Sequence, residues 1–290
     1  MAPFGVHGYN GCVKGVAVLA VVLGAVFATT AAAAPRPHEE RAQAGTVQAV
    51  FSYSWDPARF RFSRQHIAIT RDGATRFSAY LRKPPMSGGT ANAQPAGFFS
   101  HKRSISLTDL DGNGEPEVLL DLYWGGAHCC WYTQIYGYDA ATQHYRPLVH
   151  VWGNVNYVLA DLDHDGRQEL VTRDDRFSYA FTDFADSRWP VRILDYRAGK
   201  LTVVTTSYPA EIKRDSAALW HEAMALGRRK AANNQGMMAA WAADQCMLRH
   251  CAVAFRSIAS LSKTGRVHGD LAAAVYERKL RAFLRRTDYL

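Results

Sequence analysis

A ten-residue segment that occurs twice, 52 residues apart, constrains this chain more than any other feature. The first copy reads Asp109-Leu110-Asp111-Gly112-Asn113-Gly114-Glu115-Pro116-Glu117-Val118, and the second Asp161-Leu162-Asp163-His164-Asp165-Gly166-Arg167-Gln168-Glu169-Leu170. Each copy follows an apolar, β-type run (Ile105–Thr108, Val155–Ala160) and leads into another (Val118–Trp124, Leu170–Thr172). The repeated unit is therefore strand, tight loop, strand. Such a unit cannot bury its apolar face alone and needs stacked neighbours.

The loop spacing carries its own chemistry. Calcium takes six to eight oxygens at about 2.3–2.6 Å. Side chains at positions one, three and five of a tight loop converge on one point; here they are Asp109, Asp111, Asn113 and Asp161, Asp163, Asp165. Position six must turn the chain back, and Gly114 and Gly166 reach positive φ without steric cost. Position seven offers its carbonyl, so Glu115 and Arg167 can differ freely. Position nine closes the shell with Glu117 and Glu169. An EF-hand would need a bidentate Glu at position twelve between helices. Leu120 and Thr172 stand there, between β-like flanks, so the EF-hand reading fails. The metal-free alternative is a pair of Asx-turns. Asn113 removes one charge from the first loop, which is expected to be the weaker site.

These loops resemble those of FG-GAP/VCBS-type repeats, the modules of integrin α-subunit propellers and of many secreted bacterial proteins. The resemblance implies calcium held between two strands of a blade by Asp109, Asp111, Asn113, Glu115 and Glu117, and by Asp161, Asp163, Asp165, Arg167 and Glu169. It covers the two loops and their flanks. The stretch Gly125–Cys130 also resembles a segment of uncharacterised secreted bacterial proteins of this kind. A closed propeller takes about four blades or more. Residues 46–208 hold roughly three such units, so a partial propeller or a sandwich is expected.

Gly15–Ala34 is uncharged and apolar, follows Lys14, and ends in small residues. That is the pattern of a secretory signal peptide over residues 1–34, against the alternative of an uncleaved anchor. Cleavage would leave no transmembrane segment and four cysteines: Cys129, Cys130, Cys246 and Cys251. An exported chain favours disulfides. On one straight helix Cys246 and Cys251 would be about 7.5 Å apart in rise, too far to bond unless the helix breaks near Arg249-His250. Local pairing, Cys129–Cys130 and Cys246–Cys251, is preferred over cross-pairing.

Two parts follow the leader. Residues 35–208 carry 19 basic and 19 acidic residues and a β pattern with hairpin signals at Asp72-Gly73 and Ala198-Gly199. Lys83–Gly97 is Pro/Gly-rich and reads as a loop. Residues 209–290 carry 14 basic and 7 acidic residues with helical periodicity. Pro209 suits a first turn, and Asp270 suits an N-cap. The fold class is α+β: a β-rich repeat domain followed by a small α-helical C-terminal part.

The functional expectation is a secreted or extracellular, Ca2+-dependent, non-catalytic binding or adhesion module. Its partner would be a glycan, a cell-wall polymer or a protein, with no nucleic acid. Tyr123, Trp124, Trp131 and Tyr132 offer either ring faces for a ligand or strand core. The alternative is a secreted glycan or cell-wall hydrolase. Its carboxylates would come from Asp174, Asp175, Asp183 and Asp186, and paired carboxyls about 5–10 Å apart in a cleft would mark it.

Overall fold

Short β-branched and aromatic runs between turn residues form three antiparallel sheets in the computed structural model, which describes residues 34–82, 93–100, 102–126, 128–229 and 233–290. The leader up to residue 33 and residues 83–92 of the Pro/Gly-rich stretch lie outside the described residues. The end of that stretch is not a loop: Gln94–Pro95 pairs as a strand and Ala96–Ser100 is helical.

The first sheet is the meander β1 (Arg36–Ala44), β2 (Val47–Asp56), β3 (Arg61–Arg71) and β4 (Ala74–Tyr80). Asp72 and Gly73, at φ 52° and 75°, make its last hairpin a two-residue turn with both central residues left-handed. In the second sheet, β5 (Gln94–Pro95) and β6 (Ile105–Thr108) both pair with β7 (Glu117–Tyr123); β8 (Trp131–Asp139) and β9 (His144–Gly153) follow. Helix α1 (Ala96–Ser100) separates β5 from β6. The third sheet is β10 (Val158–Ala160), β11 (Glu169–Arg173), β12 (Val191–Arg197) and β13 (Lys200–Val203). None of the three closes into a barrel.

Strand alternation sets the layering. Side chains leave a strand on opposite faces in turn, so a strand covered on both sides is apolar throughout. Strand β7 is such a strand from Val118 to Leu122, interrupted only by Asp121. Its Val118, Leu120 and Leu122 join Val47, Phe51 and Ile67 of the first sheet in one core. Its Leu119, with Ile135 of β8, joins Leu170, Leu194 and Tyr196 of the third sheet in another. The third sheet repeats the arrangement: Val191 and Ile193, on its far face, pack against Ile212 of the helical part. The layers therefore stack in chain order.

The helical part is α2 (Pro209–Leu226), α3 (Gln235–Met247), α4 (Cys251–Lys263) and α5 (Ala273–Arg286). Pro209 opens α2, where its missing N–H costs nothing. Helix α3 is buried along almost its whole length, packed by Leu219, Phe255, Tyr276 and Leu280 and by Phe177 and Phe181 of the β part. The chain breaks between α3 and α4 with Arg249 at φ 64°, and Cys246 and Cys251 are bonded with their Cα atoms 4.3 Å apart. Cys129 and Cys130 form the second disulfide. Asp270 is not an N-cap: α5 begins three residues later without a side-chain cap, and the Asp270 carboxylate accepts a hydrogen bond from Asn233 Nδ2 at 3.2 Å. On the basic face of α5, Arg281 lies 3.8 Å from the centre of the Phe255 ring and Arg286 4.8 Å from that of Phe283. Those cations lie against aromatic faces, an attraction of about 0.5–1 kcal/mol when exposed.

Candidate metal centre

The repeated loops occupy the same place in successive sheets, between β6 and β7 and between β10 and β11. They fold the same way because the same local hydrogen bonds are available to each. In the first, Asp109 accepts from the backbone N–H of Gly112, Asn113 and Gly114 at 2.8–3.1 Å. In the second, Asp161 accepts from Asp165 and Gly166, both at 3.1 Å. Asn113 Oδ1 accepts from Glu115 N–H as Asp165 Oδ1 does from Arg167 N–H. Glu117 and Glu169 each reach back to the amide of the loop's second residue, Leu110 and Leu162, at 2.9 Å. Gly114 and Gly166 have φ of 85° and 86°, as position six requires. Position four is left-handed too, in Gly112 (71°) and His164 (61°). Gly112 also admits the Arg167 side chain, which lies where a Cβ would stand.

Two carboxylate triads result. Asp109, Asp111 and Glu117 bring one oxygen each within 4.8 Å of one another, and Asp161, Asp163 and Glu169 do the same. At an effective dielectric near 20, a pair of charges at that separation repels by about 3 kcal/mol. Nor is each triad freely solvated throughout, since Glu117 and Glu169 are only 3% and 2% exposed. Burial, and then the charges of Asp111 and Asp109, push the Glu117 carboxyl up to about 8. The Asp111 Oδ1 atom is buried and accepts no hydrogen bond. A set of crowded anionic oxygens with one left unpaired fits a hard divalent cation. Asn113 Oδ1 and the carbonyl of Glu115 stand beside it in the loop order.

Not every residue expected as a ligand points inward. Asp165 is turned to the guanidinium of Arg167 and stands outside the triad. The expected ranking of the two sites rested on that extra charge, whereas three carboxylates converge in each loop. Glu115, expected to offer only its carbonyl, directs its side chain away, to Arg71 of β3 at 3.0 Å and to the Tyr145 hydroxyl at 3.0 Å. Arg71→Ala is expected to lower stability modestly, and less at high salt, because the pair is half in water. Cation stoichiometry, read by isothermal titration, should not change.

Two tyrosines near the triads escaped sequence reasoning. The Tyr208 hydroxyl, just before α2, lies 3.4 Å from Asp163 Oδ2. Tyr196 of β12 reaches over Gly137 toward the first triad, and its hydroxyl is held well above its usual range by burial and by Glu117 and Asp111. No spacing signal in the sequence marks either one. The first triad also faces a cleft of about 580 Å³, lined by Asp111, Glu117, Tyr138, Arg146 and Tyr196.

Of the carboxylates considered for a hydrolase, Asp174, Asp175 and Asp183 hold turns and ion pairs. Asp174 lies beneath Arg176 and Arg192, and Asp175 accepts from Asn154 and Ser178. Asp183 caps the amide of Asp186. Tyr132 is core, and Trp131 packs against core with its ring 4.8 Å from that of Tyr123.

Among known proteins, the chain is 28% identical over 149 residues to the Synechocystis protein named "probable thylakoid lumen protein sll0997", a match spanning 50% of this chain and 43% of that protein. It is 29% identical over 136 residues to the uncharacterized protein y4bJ of Sinorhizobium fredii, spanning 44% of this chain and 19% of the other. The matched region thus covers less than half the length of each of these relatives. No family model and no solved structure matches the chain.

Proposed function

We propose that this chain is an extracytoplasmic, calcium-binding protein whose β part serves as a non-catalytic binding module. The observation that carries this reading is the carboxylate triad, built twice with the same hydrogen bonds and the same backbone turns. Three antiparallel sheets of four, five and four strands stacked face to face, with the loop at one place in the second and third, favour an open arc of FG-GAP/VCBS-type blades. The helices cover the outer face of the last sheet. The cleft beside the first triad is where a glycan, cell-wall polymer or protein ligand could add an oxygen to the cation's shell. Location rests on the signal-like leader and on the lumenal name of one relative. Among the described residues no helix is long and apolar enough to cross a membrane.

Isothermal titration with CaCl2 is the direct test. Two calcium ions per chain are expected for the native protein, one for Asp163→Ala, and none for the Asp111→Ala/Asp163→Ala double variant. Unaltered binding in the double variant would remove the loops from consideration. Fractionation of the source cells with mass analysis of the N-terminus tests the location, with a start near Ala33–Pro35 expected.

A further inference from the structure

Among the described residues helix α3 is the most buried helix, yet it carries an aspartate at its core. Asp244 has no exposed surface, and neither of its carboxyl oxygens meets an N–H or O–H donor. The polar groups facing it are another carboxyl, that of Asp215 on α2, which raises it, and the Arg173 guanidinium and the Val191 amide, which lower it by less. Asp215 is itself buried and already occupied: Arg173 at the end of β11 pairs with its Oδ1, and the Val191 amide at the start of β12 donates to its Oδ2 at 2.9 Å. The other elements packed on α3 meet it through apolar side chains, Phe177 of the turn Asp175–Phe177 included. Helix α4 packs Ala254, Phe255 and Ile258 and α5 packs Leu280 and Tyr276, whose hydroxyl donates to the Gln235 carbonyl.

Two buried carboxyls thus face one guanidinium. If both were ionised, one negative charge would be buried unpaired, which costs several kcal/mol. If Asp244 keeps its proton, its hydroxyl donates to the Asp215 carboxylate, and no charge along α3–α2–β11/β12 is left buried without a counter-charge. We propose that Asp244 and Asp215 share one proton that latches the helical layer to the third sheet, and that loss of this proton opens the latch. The proposal stands apart from the calcium loops: neither aspartate touches a triad residue.

Burial and the neighbouring Asp215 charge push the Asp244 carboxyl far above the carboxylate range. The unfolded chain releases this proton near its ordinary value of about 3.9, whereas the folded chain retains it. Folding therefore takes up a proton at neutral pH. The latch's contribution is complete only below the unfolded value and is lost progressively as pH rises toward the folded one. A readout sits beside it, because Trp241 on α3 lies 4.7 Å from Trp220 on α2.

The test is urea unfolding of the full chain, followed by tryptophan fluorescence, from about pH 6 to about pH 9 in EDTA, so that calcium plays no part. The native chain should lose urea midpoint steadily as pH rises. Asp244→Asn keeps a donor toward Asp215 without a titrating proton, so its midpoint should be higher at the alkaline end and much flatter. Asp215→Asn leaves a single carboxyl and should also flatten the profile, whatever its overall stability. Parallel pH profiles in the native chain and both variants would overturn the latch. So would a midpoint of the Asp111→Ala/Asp163→Ala variant that follows added Ca2+ at fixed pH, since the pair would then hold a metal rather than a proton.

Discussion

On the proposed reading, removing calcium with a chelator lowers the melting temperature of the full chain by about 10–20 °C. A ligand that binds only the native state adds RT ln(1 + [L]/Kd), about 2.7 kcal/mol per site at a hundredfold excess over Kd. Two sites give about 5 kcal/mol, and a chain of this size shifts by about 2–4 °C per kcal/mol. Asp111→Ala and Asp163→Ala should each remove about half of the shift, because each loop brings three carboxylates together. The stabilisation need not stop at the sheets. Tyr208 connects the second triad to the first turn of α2, so hydrogen exchange in that turn should slow when calcium is added. A melting temperature indifferent to chelator would remove the cation from the account of this fold.

Asp174→Asn is expected to cost about 3 kcal/mol, read as a lower urea midpoint at neutral pH. Its carboxylate is 2% exposed and accepts from Arg176, from Arg192 at 3.1 Å and from the Tyr289 hydroxyl at 2.8 Å. Breaking a buried pair by removing one partner typically costs 3–5 kcal/mol. Here the estimate sits at the lower end because both arginines can regain water. Burial by itself would raise this carboxyl, but the hydrogen bonds and charges of Arg176 and Arg192, with Tyr289, outweigh it and hold it below the usual range. The sign follows: the stabilisation is present above the unfolded value near 3.9 and is lost as pH falls through the folded one. The Asn variant should therefore lose part of the native chain's acid sensitivity. Equal acid profiles would mean that Asp174 contributes packing rather than charge.

The loops were legible because everything that shapes them lies within nine residues. Asp109 and Asp161 cap the amides just ahead of them, and the glycines at position six have the φ that the spacing demanded. The same holds for the two-residue hairpins at Asp72-Gly73 and Ala198-Gly199 and for the Pro209 helix start. Asp270 misled because an N-cap depends on where the helix begins. Asn233, 37 residues away, competes for its carboxylate.

What the sequence by itself determined is the local chemistry: strand or helix period, turn residues, and two carboxylate-bearing loops whose donors and acceptors are neighbours in the chain. The tertiary structure alone decided which groups at long separation meet. It set Asp174 against Tyr289, 115 residues away, and Glu115 against Arg71, 44 away. It also placed Asp215 and Asp244 on facing helices. The physical reason is that a residue's period gives the face it occupies, whereas its partner depends on which layer covers that face. That choice is made by the stacking of three sheets and a helical layer, which no local spacing encodes.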